Sequence, residues 1–133
     1  METDFRSIIA DDPAVKALVS TRIYPATYSQ GAANPAVRYQ KVTGSIGLHM
    51  QGSDGLGQDL MQVDVRAVKA LDAIAVKDAI IANLHGFSGV VGSTQFYLIA
   101  LRDDRGVKFE ATDAEAFYTA SLDVDVSWRR LTT

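Results

Sequence analysis

The stretch Ala116-Phe117-Tyr118-Thr119-Ala120-Ser121-Leu122-Asp123-Val124-Asp125-Val126-Ser127-Trp128-Arg129 alternates without a break. Ala116, Tyr118, Ala120, Leu122, Val124, Val126 and Trp128 fall on one side, and the intervening residues, all polar except Phe117, fall on the other. A period of two sustained this long predicts one strand with a dry face and a wet face. A second run upstream has the same form. Met61, Val63, Val65 and Ala67 alternate with Gln62, Asp64 and Arg66, which predicts another half-buried strand.

Between and around these runs the period changes. Phe5, Ile8 and Ile9 stand at helical spacing, Asp12-Pro13 offers an N-cap followed by proline at the first helical position, and Val15, Leu18 and Val19 extend an apolar face. Two short helices, or one kinked helix, are expected over about residues 3–19. Arg22-Ile23-Tyr24-Pro25 starts an extended stretch, because the residue before a proline is pushed out of the α region. Residues 26–35 (ATYSQGAANP) read as a surface connection, and Ala36 to Thr43 as a strand. Residues 68–84 (VKALDAIAVKDAIIANL) read as a helix with Leu71, Ile74 and Ile81 on one face; Val76, Ile80 and Leu84 broaden its apolar surface, and His85-Gly86 ends it. Thr94 to Leu101 (TQFYLIAL) is apolar on both sides and suggests a central strand covered on both faces.

Three segments resist regular structure. Gly44 to Gly57 (GSIGLHMQGSDGLG) holds five glycines in fourteen positions and reads as a long loop. Phe87 to Gly92 reads as a turn region, and Arg102-Asp103-Asp104-Arg105-Gly106 as a charged turn followed by an irregular stretch to Asp113. The element order is then helix, strand, strand, helix, strand, strand. That order predicts an α+β domain spanning residues 1–133: a two-layer, mostly antiparallel four-stranded sheet with helices packed on one face.

Composition narrows the function classes. A chain of 133 residues has room for one domain. It contains no cysteine, which removes disulfides, thiolate nucleophiles and cysteine-ligated zinc. Thirteen basic against sixteen acidic residues give a net charge of −3, without the basic excess of a dedicated nucleic-acid binder. No apolar run approaches the ~20 residues of a membrane span. Met1-Glu2-Thr3-Asp4 is acidic where a signal peptide is basic, so a cytosolic product with no membrane partner is expected.

Candidate chemistry is thin. His49 lies in the glycine-rich segment and His85 at a helix end, neither at the spacing of a metal or acid–base motif. Asp123 and Asp125 share a strand face about 7 Å apart, a separation at which carboxylates can bind a metal or act on glycosides, but no third ligand follows. A small hydrolase using Asp123, Asp125 and His49 is the enzyme alternative. Gly52-Ser53-Asp54-Gly55-Leu56-Gly57 lacks the lysine of a P-loop and does not open a helix. The expectation is of no catalytic residue, no metal and no cofactor. Two apolar features invite a partner instead: Ile46, Leu48 and Met50 alternating among glycines, and Phe117 on the otherwise polar face.

Several strings resemble one family. Residues 10–25 (ADDPAVKALVSTRIYP) resemble the amino-terminal signature of the tail completion, or tail terminator, proteins of long-tailed bacteriophages and gene transfer agents. Residues 34–40 (NPAVRYQ) are similar to that family's first strand and 61–67 (MQVDVRA) to its second. Residues 80–89 (IIANLHGFSG) look like its helix end and 122–129 (LDVDVSWR) like its closing strand. In the family the first helix often ends in glycine, where this chain has Ser20.

The resemblance implies a virion structural protein at the head–tail junction, assembled in the host cytoplasm. Such subunits form a ring, typically a hexamer, that caps the head-proximal end of the tail tube, stops tube polymerisation and meets the head–tail connector. DNA passes through the lumen without being read. The partners implied are further copies of the chain, the major tail tube protein and the connector; a connector or neck protein of the same particle is the alternative. A closed ring needs a heterologous contact between two different sides of the subunit. The sheet edge and the segment with Ile46, Leu48, His49, Met50 and Asp54 are candidates for it, with Phe117 beside them. Arg102, Asp103, Asp104 and Arg105 are candidates for salt links between subunits.

Overall fold

The computed structural model describes residues 1–29, 31–49, 52–111 and 116–131. Its elements are α1 (Glu2–Ala10), α2 (Pro13–Val19), β1 (Ile23–Pro25), β2 (Ala36–His49), β3 (Gly52–Ala67), α3 (Ala70–Leu84), β4 (Phe87–Val91), β5 (Thr94–Ala111) and β6 (Ala116–Arg130). The strands form one six-stranded sheet in the order β1-β2-β3-β6-β5-β4, with β1 parallel to β2 and every other pair antiparallel. The sheet curls into a half-barrel. The expected four-stranded, two-layer α+β sheet is thus corrected: six mixed strands dominate the molecule, and three helices accompany them.

The alternating stretch Ala116–Arg129 lies in β6, which occupies the middle of the sheet. Its residues Ala120, Leu122, Val124 and Val126 are buried, as are Met61, Val63 and Val65 on β3 and Val37 on β2. They meet Phe5, Ile9, Val15 and Val19 of the first two helices and Val76, Ile80 and Leu84 of α3 in one core. Each such side chain contributes about 1.5–3 kcal/mol relative to exposure, which fixes the strand register because a one-residue slip would reverse the faces.

Both short helices form as expected. Pro13 occupies the first turn of α2, and the Asp12 carboxylate accepts from the Val15 backbone N–H at 3.1 Å. The helix ends at Ser20, whose φ of 55° and ψ of −122° lie in territory that side chains avoid. Holding a non-glycine residue there costs on the order of 1–3 kcal/mol. Ser20→Gly is therefore expected to raise stability by about 1 kcal/mol in a urea titration; a neutral or destabilising result would show that Ser20 is unstrained.

Helix α3 turns a different side inward from the one expected. Ala73, Val76, Ile80 and Leu84 are buried, while Leu71 is 78% exposed and Ile74 37%. In a helix apolar almost all round, the sheet decides which stripe is covered.

The expected glycine-rich loop is instead the outer half of a long β2–β3 hairpin, paired as Gly44↔Asp59, Ser45↔Gln58, Ile46↔Gly57, Leu48↔Ser53 and His49↔Gly52. Two of its glycines exist for close approach. A β-carbon on Gly57 would overlap the indole of Trp128, which lies directly across from it on β6. One on Gly44 would overlap the Asp59 carboxylate. The Trp128 Nε1 donates to Asp59 Oδ2 at 2.8 Å, so a buried acid and a buried indole satisfy each other over bare backbone.

Two further readings are corrected. The Phe87–Gly92 turn is largely strand β4, bulged between Phe87 and Gly89. The charged turn at Arg102–Gly106 lies inside β5, which passes through it with register shifts at Leu101/Asp103 and Asp104/Val107. Strand β5 is not covered on both faces, since Tyr97 and Leu98 are exposed.

Candidate functional site

The face of the sheet opposite the helices carries the polar residues of β2, β3, β5 and β6. At its centre the Asp64 carboxylate on β3 is buried, and Arg38 on the adjacent β2 binds it through both Nε and Nη2, with the Nε at 3.0 Å. The Gln62 Nε2 donates to both Asp64 oxygens, at 3.0 and 3.1 Å. Burial on its own would raise the Asp64 carboxyl; hydrogen bonds from Gln62, Arg38 and Ser121 outweigh it and hold the group below the ordinary carboxylate value.

The connection from β1 to β2 folds onto this face. The Arg66 guanidinium lies 4.2 Å from the Tyr28 ring centroid and 5.9 Å from that of Phe117. The same Arg66 donates from Nε to Asn34 Oδ1 at 2.8 Å and from Nη2 to the Ala32 carbonyl at 3.3 Å. The Tyr28 hydroxyl, which donates to the Asp64 carbonyl at 3.4 Å, is pushed up to about 12 by burial. Together these side chains line a polar cavity of about 260 Å³ with Glu110, Thr119 and Ser121. The sequence does not mark the Arg38–Asp64 pair, and the one signal for Tyr28 is an aromatic inside an otherwise small, polar connection.

Further along the face Asp123 and Asp125 each meet an arginine. Arg105 Nη2 reaches Asp123 at 3.1 Å and Arg102 Nη1 reaches Asp125 at 3.6 Å, while Lys77 of α3 reaches Asp104 at 3.1 Å. Arg102, Asp104 and Arg105, expected to link subunits, are thus paired within the chain. Asp103 lies on β5 opposite Asp123. Among the described residues no group of three acidic or histidine side chains could hold a metal ion. Phe117 is on the polar face as expected, half-buried against Arg66. Ile46, Leu48 and His49 fall on β2 and Asp54 on β3, near the hairpin end, and Met50 lies outside the described residues. The second histidine, His85, caps α3 and accepts the Leu101 N–H on Nδ1 at 3.0 Å.

This arrangement orders a surface. Arg38, Arg66, Arg102 and Arg105 are engaged by carboxylates, carbonyls or aromatic rings, so most of the cationic charge on this face is matched, a quality that suits packing against macromolecules.

The sheet margins add a second feature. Strand β1 covers only Val37–Tyr39 of β2, and β4 pairs with β5 only as far as Ile99. Among the described residues, β2 beyond Tyr39 and β5 beyond Ile99 therefore each have a strand on one side only.

No protein-family model and no curated protein matches the sequence significantly. Among solved structures, the chain is similar to one determined as the virion of a native gene transfer agent particle, with a TM-score of 0.66 at 16% identity over 96% of this chain and 90% of that one. At that identity the likeness is one of fold, and the two chains share it over nearly their whole lengths.

Proposed function

We propose that the protein is a virion structural subunit, a tail terminator that forms a ring on the head-proximal end of a tail tube and presents the joining surface to the head connector. The observation that carries this reading is the end-to-end fold likeness to a chain of a gene transfer agent virion, combined with the terminator-like strings at residues 10–25, 34–40 and 122–129. The charge-matched polar face supports it. Arg38, Arg102 and Arg105 are paired with acids, so these three cations are not free to hold passing DNA through phosphate contacts.

Deleting the gene from its particle genome is expected to leave filled heads and tails unjoined, with tubes of irregular length, and re-expression should restore joining. Immunolabelling should place the chain on isolated headless tails. Finding it on tailless heads instead would favour a connector of the same particle, and normal particles in its absence would sink both readings.

A further inference from the structure

Resting on the ring reading, we infer that neighbouring subunits join edge to edge through their sheets, residues 107–111 of β5 in one copy adding as a strand to residues 43–46 of β2 in the next. The partner is a second copy of this chain.

Among the described residues, both segments are regular strand with no strand on one side. The β5 margin is charged and bulged from Leu101 to Val107, a device that keeps strands from pairing, but beyond Val107 the register is unbroken through Ala111. On β2 the irregularity at Lys41/Thr43 gives way to four consecutive register pairs from Thr43 to Ile46. Open edges present rows of backbone N–H and C=O groups that another strand satisfies.

Polarity also agrees. Three successive antiparallel pairings, β2–β3, β3–β6 and β6–β5, make β2 and β5 antiparallel within one subunit. Rotation about a ring axis preserves each strand's direction along that axis, so β5 of one copy meets β2 of the next in antiparallel fashion. The two edges are different surfaces on opposite margins of the sheet, as a heterologous contact that can close requires.

The stagger fits as well. Thr43 pairs with Leu60 and so stands level with Asp125 of β6, whereas Lys108 stands level with Thr119. Six residues along a strand are about 20 Å, and the four interstrand steps from β2 to the next copy's β2 are about 19 Å. Bringing the edges together inclines the strands by about 45° to the ring axis, close to the tilt at which curved sheets close.

Side chains supply the apolar part of the contact. Phe109 is 58% exposed on the helix-bearing side of β5, tilted against Tyr118 with ring centroids 5.1 Å apart, and Val42, immediately before the β2 segment, is 52% exposed. Exposed aromatics on an open edge are what a strand-adding neighbour covers.

The chain has no cysteine, so introduced thiols report unambiguously. Thr43→Cys, combined in turn with Lys108→Cys, Phe109→Cys or Glu110→Cys, is expected to give a ladder of disulfide-linked oligomers on oxidation for at least one pair, with single variants stopping at dimers. In that pair, or beside it, Phe109→Asp should weaken association about tenfold or more while leaving the melting temperature unchanged. Rings from which no pair cross-links overturn the contact and leave the terminator reading standing. A ladder in a chain that never localises to tails overturns that reading and keeps the contact. Absence of any ladder, with or without isolated tube ends, overturns the contact too.

Discussion

Gly57→Ala is expected to lower the stability of the folded chain by about 2–5 kcal/mol and to shift the emission of its one tryptophan to the red. The added methyl group would occupy the space of the Trp128 indole, meeting Nε1 and the adjoining Cε2 and Cζ2 ring atoms. The indole is almost fully buried and has no flexible end to swing aside, so the ring or the strand must move. Overpacking of this kind costs about 1–3 kcal/mol. Displacing Nε1 also takes the donor from Asp59, a 5% exposed carboxylate, and an unsatisfied buried acceptor costs about 1–3 kcal/mol more. For a domain with about 5–15 kcal/mol of total stability, that is a melting-temperature loss of about 10 °C or more. Trp128→Phe removes the hydrogen bond without adding a clash at Gly57, and the smaller ring leaves a cavity, so its cost should be at least that of the unsatisfied Asp59 acceptor, about 1–3 kcal/mol. Unchanged emission and melting temperature in Gly57→Ala would mean that the indole does not lie over the strand.

The same residue explains why the hairpin was illegible in sequence. A glycine that makes room for an aromatic ring and a glycine that lets a loop turn look identical in the one-dimensional pattern. What distinguishes Gly57 is Trp128, its cross-strand partner more than seventy positions away, and what distinguishes Gly44 is Asp59. Strand β5 failed for a related reason. Its three register shifts, at Phe96/Leu98, Leu101/Asp103 and Asp104/Val107, each change the inward–outward parity, so an alternating strand reads first as apolar on both sides and then as a charged turn. By contrast β6 pairs without irregularity against β3 along twelve positions, and its alternation could be read directly. The Asp12–Pro13 helix start was equally plain because capping is local chemistry. For α3 the sequence showed a helix but not its orientation, since Leu71 and Val76 are alike in hydrophobicity and only the shape of the sheet selects between them. Of the polar face, Phe117 stands out as an exception to a pattern, whereas Tyr28, in the β1–β2 connection, does not, because its partners Arg38 and Arg66 come from strands β2 and β3.

The interaction that organises that face is open to a direct test. Asp64→Asn is expected to destabilise the chain by about 2–3 kcal/mol at neutral pH, below the 3–5 kcal/mol of a fully buried pair because Arg38 is 31% exposed and can turn partly to water. The amide keeps one acceptor for Arg38 but presents an NH₂ group where Gln62 and Ser121 now donate. The pH dependence follows from the direction of the shift. The folded carboxyl titrates below its unfolded value, so its stabilisation is complete above the unfolded value, near 4, and is lost as the pH falls through the lower folded value. Wild type should therefore lose stability on acidification below about pH 4 more steeply than Asp64→Asn, and the gap between the two should shrink toward pH 2. Paired urea titrations at pH 7 and pH 2.5 measure it. A gap that stays constant across that interval would mean that the charge on Asp64 contributes nothing, and that hydrogen bonds blind to protonation hold Arg38 and Gln62 in place.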